Sequence, residues 1–363
     1  MRNINDLSEL TMEEFRELYK LTSNIIDRPE GYADSARGKV LGSLFYEPST
    51  RTNLSFSTAM MRLGGSVMGF SDPNSSSTSK GETLKDTITM VSSYADMIVM
   101  RNPREGAAKA AALYSSVPVI NAGDGGHLHP TQTLADMTTI LRRRGSANHM
   151  KIGICGDLKY GRTVHSLIKF LQKFEDVQFY LIAPRELAIP EYIRRFMVEH
   201  GMQFYEVSGL EPVIPMLDVL YMTRIQKERF TSEAEYNSLK GIYCLNARKL
   251  RDAKPELLVM HPLPRVDEIA QDVDDDPRAV YFDQARYGMY ARMALLLTLS
   301  RQPYRKPGKA PEGVHGCRCT NPKCVTKTEP YLPMLTVHSA EGECCAYCDK
   351  PVDAYDEPLQ EEE

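Results

Sequence analysis

From Phe45 to Thr52 the chain passes from an apolar, strand-like run into a helix-like one, with three hydroxyls and a guanidinium at the junction. That combination suits a phosphate. The first turn of a helix leaves backbone N–H groups without intrahelical partners, and the helix dipole adds partial positive charge there. Ser49 or Thr50 can cap such a helix, while Arg51 offers a planar fork of donors to phosphate oxygens. A cap alone needs no arginine between two threonines, so Ser49-Thr50-Arg51-Thr52 reads as an anion site.

Further polar clusters fall at the ends of apolar runs. They are Ser76 to Glu82, Met100 to Pro103 with Arg101, Gly123 to Gln132 with His129, Gly156 to Thr163 with Arg162, Met222 to Gln226 with Arg224, and His261 to Arg265. Singly each is weak: a lone arginine is usually a solvated charge and a lone histidine a satisfied core residue. The stretch from Gly156 to Gly161 lacks the G-x-G-x-x-G spacing, which argues against a nicotinamide cofactor. Their force lies in recurrence at strand ends, where open α/β sheets place ligands.

Cysteine makes a separate cluster. Of eight cysteines only Cys155 and Cys244 precede residue 317; Cys317, Cys319, Cys324, Cys344, Cys345 and Cys348 follow closely on one another. Cys319 and Cys324 form a C-x4-C pair, Cys345 and Cys348 a C-x2-C pair, and four thiolates so spaced suit a tetrahedral, structural Zn2+ with no open coordination position. Cys317 and Cys344 flank the pairs and could substitute as ligands.

The elements that must position these groups alternate. Val40 to Tyr46, Ser66 to Phe70, Met97 to Met100 and Val117 to Asn121 read as strands, with helices at Thr52 to Leu63, Thr83 to Tyr94 and Gly106 to Tyr114. A second series has strands at Ile152 to Cys155, Gln178 to Ile182, Val219 to Met222, Ile242 to Leu245 and Leu257 to Met260, with helices near Thr163 to Phe174 and Glu191 to His200. This predicts an α/β chain of two doubly wound parallel-sheet domains. Helices at Thr131 to Arg144 and Arg286 to Ser300 connect them and close the fold. Residues 306–316 read as a Pro/Gly-rich linker, 317–353 as a small zinc-ribbon-like β domain, and 354–363 as an acidic tail. A net charge of −4 gives no reason to expect nucleic acid, and no apolar run approaches membrane-spanning length, so a cytoplasmic protein is expected.

The ordered motifs resemble the aspartate carbamoyltransferase catalytic chain. Ser49-Thr50-Arg51-Thr52, His129-Pro130-Thr131-Gln132-Thr133, the run from Asp157 to Ser166, the run from Thr223 to Arg229, and His261-Pro262-Leu263-Pro264-Arg265 carry the resemblance, which spans roughly residues 1–305. It implies transfer of the carbamoyl group of carbamoyl phosphate to the α-amino group of L-aspartate, the committed step of pyrimidine synthesis. It also implies a carbamoyl phosphate domain at 1–130, completed by the helix at 286–305, and an aspartate domain at 131–285. By similarity Ser49, Thr50, Arg51, Thr52 and Arg101 cradle the phosphate, and Arg51, Thr52 and His129 reach the carbonyl oxygen. Gln132 and the backbone carbonyls of Pro262 and Leu263 hold the carbamoyl amide. Arg162 takes the α-carboxylate of aspartate and Arg224 its side-chain carboxylate, with Gln226, Leu263 and Pro264 alongside. Ser76 and Lys80 come from the neighbouring subunit of a homotrimer to bind carbamoyl phosphate, Lys80 also reaching aspartate and counting among the catalytic residues, and such trimers can pair. Glu47 is implied to pair with Arg162 and Arg229 when the domains close. No metal is required for the chemistry.

The cysteine tail resembles the zinc domain of that family's separate regulatory chain, here fused to the catalytic end without the nucleotide-binding domain; a module docked in cis is expected. Ornithine carbamoyltransferase is the nearest rival, but Arg224 would face a side-chain cation, and its His-Cys-Leu-Pro is here His261-Pro262-Leu263-Pro264. A zinc-ribbon binding protein on an inactive scaffold is the other. Residues 312–353 carry four Lys/Arg against six Asp/Glu, which disfavours nucleic acid.

Overall fold

Thr11 and Glu14 start the first helix by reciprocal capping. Thr11 Oγ1 accepts the Glu14 N–H at 3.1 Å and Glu14 Oε2 accepts the Thr11 N–H at 2.8 Å, which satisfies two of the donors a helix start leaves over. This helix, α1 (Met12–Asp27), is absent from the sequence expectation above. The computed structural model describes residues 3–72, 80–225, 232, 237, 243–304, 310–339 and 342–354. The chain forms two compact units: Met1–Glu9, Pro29–His129 and Leu295–Glu363 make the first; Leu10–Arg28 and Pro130–Ala294 make the second.

In the first unit β1 (Val40–Phe45), β2 (Ser66–Phe70), β3 (Met97–Asn102) and β4 (Val119–Asp124) form a parallel sheet of order β2-β1-β3-β4. The crossovers contain α2 (Thr50–Arg62), α3 (Leu84–Tyr94) and α4 (Ala107–Tyr114). The chain winds from β1 outward to β2, then returns past β1 to lay down β3 and β4. The switch point is therefore the β1/β3 boundary, where a parallel sheet opens a crevice at its carboxyl edge.

The cysteine module belongs to this unit. β10 (Cys317–Cys319) pairs antiparallel with β13 (Val352–Ala354), and β11 (Thr336–Ser339) with β12 (Gly342–Cys345). Cys319, Cys324, Val325, Leu332, Cys345, Tyr347 and Cys348 share one buried apolar cluster with Ile88, Ala107, Ala111 and Val119. Backbone ties add to it: the Glu105 N–H donates to Lys323 O at 3.0 Å and the Val325 N–H to Glu105 O at 2.9 Å. Gly106 (φ +83°) lies beneath Tyr347, where an added Cβ would come within 2.5 Å of the tyrosine Cβ, so only glycine permits this approach.

In the second unit β5 (Lys151–Cys155), β6 (Gln178–Ile182), β7 (Gln203–Val207), β8 (Val219–Met222) and β9 (Leu258–Met260) form a parallel sheet of order β7-β6-β5-β8-β9. Its helices are α1, α5 (Pro130–Arg144), α6 (Arg162–Leu171), α7 (Glu191–Glu199) and most of α8 (Tyr281–Ser300), whose last turns from Leu295 count with the first unit. The switch point here is the β5/β8 boundary. Of the strand expected at Ile242 to Leu245, the described residues 243–245 form none. Ile242 lies outside the described residues, and Leu245 makes a single bridge to Ile269. β7 is the strand that was missed, because an edge strand exposed on most positions shows little apolar alternation. Among the described residues no helix is long and apolar enough to cross a membrane.

Candidate functional site

At the first switch point the residues from Tyr46 to Ser49 lead from β1 directly into α2. Ser49 occupies the N-cap position at φ −156° and ψ 76°, but its side chain accepts no helix N–H. The expected capping by Ser49 or Thr50 is therefore absent: Thr50 is already the first helical residue, and the Ser49 hydroxyl leaves the N–H groups of the turn to other acceptors. Arg51 is exposed, and Thr52 is buried at the base of the same turn. Phe45 and Arg101 are register partners across β1 and β3, and the Tyr46 N–H donates to Arg101 O at 2.8 Å, which sets Arg101 beside the helix start. Arg101 Nε donates to Glu47 Oε1 at 2.7 Å. Glu47 is thus paired inside its own unit; of the two partners the resemblance implied, Arg162 belongs to the other unit and Arg229 lies outside the described residues.

His129 is buried and ends the first unit, one residue before α5. Two residues earlier, His127 was missed by sequence reading, since nothing in its spacing marks it. Its Nδ1 lies 3.0 Å from Asp124 Oδ2 and its Nε2 2.9 Å from Asp349 Oδ2, so the loop carrying His129 is joined to the cysteine module. Asp124 also accepts the N–H groups of Gly106 and Leu128 at 2.8 and 3.0 Å. Burial works against its charge, but His127, the Gly106 N–H and the Asn121 amide hold the Asp124 carboxyl below the usual range.

At the second switch point the loop after β5 leads to Arg162, the first residue of α6, and Thr223 and Arg224 follow β8 directly. The two loops are tied together. The Asp157 N–H donates to Thr223 Oγ1 at 2.9 Å, and Gly156 (φ +122°) sits so close that an added Cβ would lie 2.3 Å from Thr223 O. Arg162 and Arg224 are both half-buried. After β9, Leu263 adopts φ +51° and its N–H donates to His261 Nδ1 at 2.7 Å; the Leu263–Pro264 peptide is cis. Pro262 and Leu263 are half-buried and Pro264 is exposed. Gln132, in the first turn of α5, donates through Nε2 to Asp136 Oδ1 at 2.8 Å. Lys80 is exposed, while Ser76 and Gln226 lie outside the described residues.

The four module cysteines converge. The sulfurs of Cys319, Cys324, Cys345 and Cys348 lie within 4.8 Å of one another, all buried, with Cys319 to Cys348 at 3.5 Å and Cys324 to Cys345 at 3.8 Å. Zn–S bonds of about 2.3 Å in a tetrahedron put sulfurs about 3.8 Å apart, so the set fits a tetrahedral thiolate-bound metal. The Asn321 N–H and Thr326 Oγ1 donate to Cys319 and Cys324 sulfurs at 3.4 and 3.2 Å, an outer layer of the kind that orients thiolate ligands. Cys317 and Cys344 stand apart from the cluster: their sulfurs contact Val314 O and Ser339 Oγ.

Residues 2–142 match the aspartate/ornithine carbamoyltransferase carbamoyl-P binding domain, and residues 148–299 the Asp/Orn binding domain of the same family. Residues 312–357 match the metal binding domain of the aspartate carbamoyltransferase regulatory chain. The chain therefore belongs to the aspartate/ornithine carbamoyltransferase family. The aspartate carbamoyltransferase catalytic subunit of Clostridium botulinum strain Eklund 17B is 59% identical over 300 residues, 82% of this chain and 97% of that protein. The catalytic subunit of M. jannaschii aspartate transcarbamoylase superposes with a TM-score of 0.78 at 47% identity, covering 82% of this chain and 98% of that one. The Trypanosoma cruzi aspartate transcarbamoylase, solved with carbamoyl aspartate and phosphate, gives 0.77 at 40% identity over 82% and 96%. Its body is that of an aspartate carbamoyltransferase catalytic chain, extended by a metal-binding domain of the regulatory-chain type.

Proposed function

We propose that this chain forms N-carbamoyl-L-aspartate and phosphate from carbamoyl phosphate and L-aspartate, with each switch point supplying one half of the binding chemistry. The observation that carries the assignment is the pairing of anion-binding groups at both switch points: Ser49 to Thr52 with Arg101 at the first, Arg162 with Arg224 at the second. The first set takes the phosphate, with Ser76 and Lys80 contributed by a neighbouring chain of a homotrimer. The second takes the two carboxylates of aspartate, Arg162 the α-carboxylate and Arg224 the side-chain one, with Gln226, Leu263 and Pro264 alongside. Gln132 and the carbonyls of Pro262 and Leu263 accept the N–H groups of the carbamoyl amide.

In the reaction the α-amine of aspartate attacks the carbamoyl carbon, a C–N bond forms, and negative charge develops on the carbonyl oxygen. Arg51, Thr52 and His129 are the donors assigned to that oxygen; one such donor is worth about 3–4 kcal/mol in the transition state. The C–O bond to phosphate then breaks, and the departing phosphate takes the amine proton. The Cys319, Cys324, Cys345 and Cys348 set holds Zn2+ in a structural role, since four protein ligands leave no position for substrate. A side-chain carboxylate on the amine substrate, rather than the cation of ornithine, is supported by Arg224. The test measures carbamoyl transfer to aspartate and to ornithine, with mass and zinc content recorded on the same sample. Transfer to aspartate by a trimer with one zinc per chain is expected; no carbamoyl aspartate, or a preference for ornithine, overturns the assignment.

A further inference from the structure

Gln132 poses a problem that its own side chain cannot solve. The carbamoyl nitrogen it is assigned to carries two N–H donors and no useful acceptor, so Gln132 must present Oε1. A glutamine amide presents Oε1 or Nε2 with nearly the same shape, and the wrong face would set donor against donor.

Asp136 lies one helical turn along α5 and is completely buried. An ionised carboxylate can only accept hydrogen bonds. Here Oδ1 accepts Gln132 Nε2 at 2.8 Å and Gln284 Nε2 at 2.6 Å, while Oδ2 accepts the Tyr221 hydroxyl at 3.0 Å. With both amide nitrogens turned toward Asp136, both amide oxygens are turned away from it. Gln284 Oε1 accepts the His261 N–H at 2.9 Å. His261 Nδ1 accepts the Leu263 N–H at 2.7 Å, which leaves its Nε2–H to donate to Glu268 Oε1 at 2.7 Å. One carboxylate therefore sets which way the Gln132 and Gln284 amides face, and Gln284 in turn holds the backbone of His261, whose ring holds the Leu263 N–H; Gln132 and the Leu263 turn are both assigned to the carbamoyl amide. Apart from Gln132 and Leu263, every member of this chain is buried, so water offers little alternative partnering.

We infer that Asp136 is a positioning residue for acyl-donor specificity: by fixing the orientation of Gln132 and, through Gln284 and His261, of the Leu263 turn, it makes the site select an –NH2 group on the transferred carbonyl. This rests on the assignment of Gln132, Pro262 and Leu263 to the carbamoyl amide. The charge it needs is supported nearby. Burial pushes the Asp136 carboxyl up to about 7, against the donors of Gln132, Gln284 and Tyr221 and the positive charge of buried Arg292, so it is ionised at pH 8.

The experiment compares the binding of carbamoyl phosphate and acetyl phosphate, which differ by –NH2 against –CH3, at pH 8 in the metal-loaded protein. Wild type is expected to prefer carbamoyl phosphate. Asp136→Asn lets the neighbouring amides turn, and is expected to lower that preference about tenfold, the equivalent of one hydrogen bond, while acetyl phosphate binds as before. A variant that weakens both ligands equally marks Asp136 as merely structural and overturns the inference, as does an unchanged ratio. Should Asp136→Asn fail to fold, Gln284→Met removes the second amide of the chain and is read by the same ratio. Wild type that makes no carbamoyl aspartate defeats the assignment itself; wild type that makes it, with a ratio insensitive to both variants, defeats only this inference.

Discussion

His127→Gln tests whether the cysteine module is held to the first unit by charge. The imidazole is 7% exposed and has a carboxylate at each nitrogen, Asp124 at 3.0 Å and Asp349 at 2.9 Å. Both can be satisfied only by a ring protonated on both nitrogens. Burial opposes that charge, yet the two carboxylates outweigh it and push the His127 pKa from 6.5 to about 10. Because the folded value lies above the unfolded one, the stabilisation is fully present below pH 6.5 and is lost as pH rises toward 10. Taken whole, that interval corresponds to about 5 kcal/mol. Asp349 is more than a third exposed, so water screens its share, and about 3 kcal/mol is the expected net figure. The assay is urea denaturation of metal-loaded wild type and His127→Gln, followed by circular dichroism from pH 6 to pH 10. Subtracting the two curves at each pH removes the metal and thiolate contributions common to both. A gap of about 3 kcal/mol at pH 6 that closes toward pH 10 is expected; a gap independent of pH would refute the reasoning.

Arg51→Ala is expected to lower turnover by about 100-fold or more in steady-state assays, since under the proposed assignment it removes a donor to both the phosphate and the developing oxyanion. Arg224→Met should raise the KM for aspartate by about 100-fold while carbamoyl phosphate binding, read by calorimetry, stays within about twofold. Glu47→Ala takes from Arg101 both its anchor and its competitor for phosphate; turnover should fall about tenfold with carbamoyl phosphate affinity nearly intact, and equal turnover would count against any role for Glu47. Cys348→Ser should abolish stoichiometric metal and lower the melting temperature, and a variant retaining both would remove Cys348 from the ligand set.

Most of the fold could be read from the sequence because buried parallel strands are continuous apolar runs. Gln178–Ile182 and Val219–Met222 have the boundaries their composition dictates. β7 escaped notice for the opposite reason: Gln203, Tyr205 and Glu206 face solvent on a strand paired along one edge only. The four converging cysteines were visible because metal chemistry dictates residue type, and the proposed roles of Arg51 and Arg162 rest on the same kind of signal. Asp136 and His127 were not, since a buried carboxylate in a helix and a histidine in a loop acquire meaning only from partners 148 and 222 residues away. Ser49 shows the limit in another way. Its residue type promised a capping bond, and only the three-dimensional structure reveals that its hydroxyl accepts none.

The cysteine module shares a core with the first unit while being part of the same polypeptide. Its partner surface is therefore present at an effective concentration fixed by the connecting chain, whatever the concentration of protein. A module on a separate chain is lost by dilution once the concentration falls below its dissociation constant; this one is not. Its occupancy instead answers to metal supply and to the local stability of the His127 and Glu105 contacts. With free metal held by a chelator buffer, docking should therefore show a midpoint in free metal that does not move when the protein is diluted further.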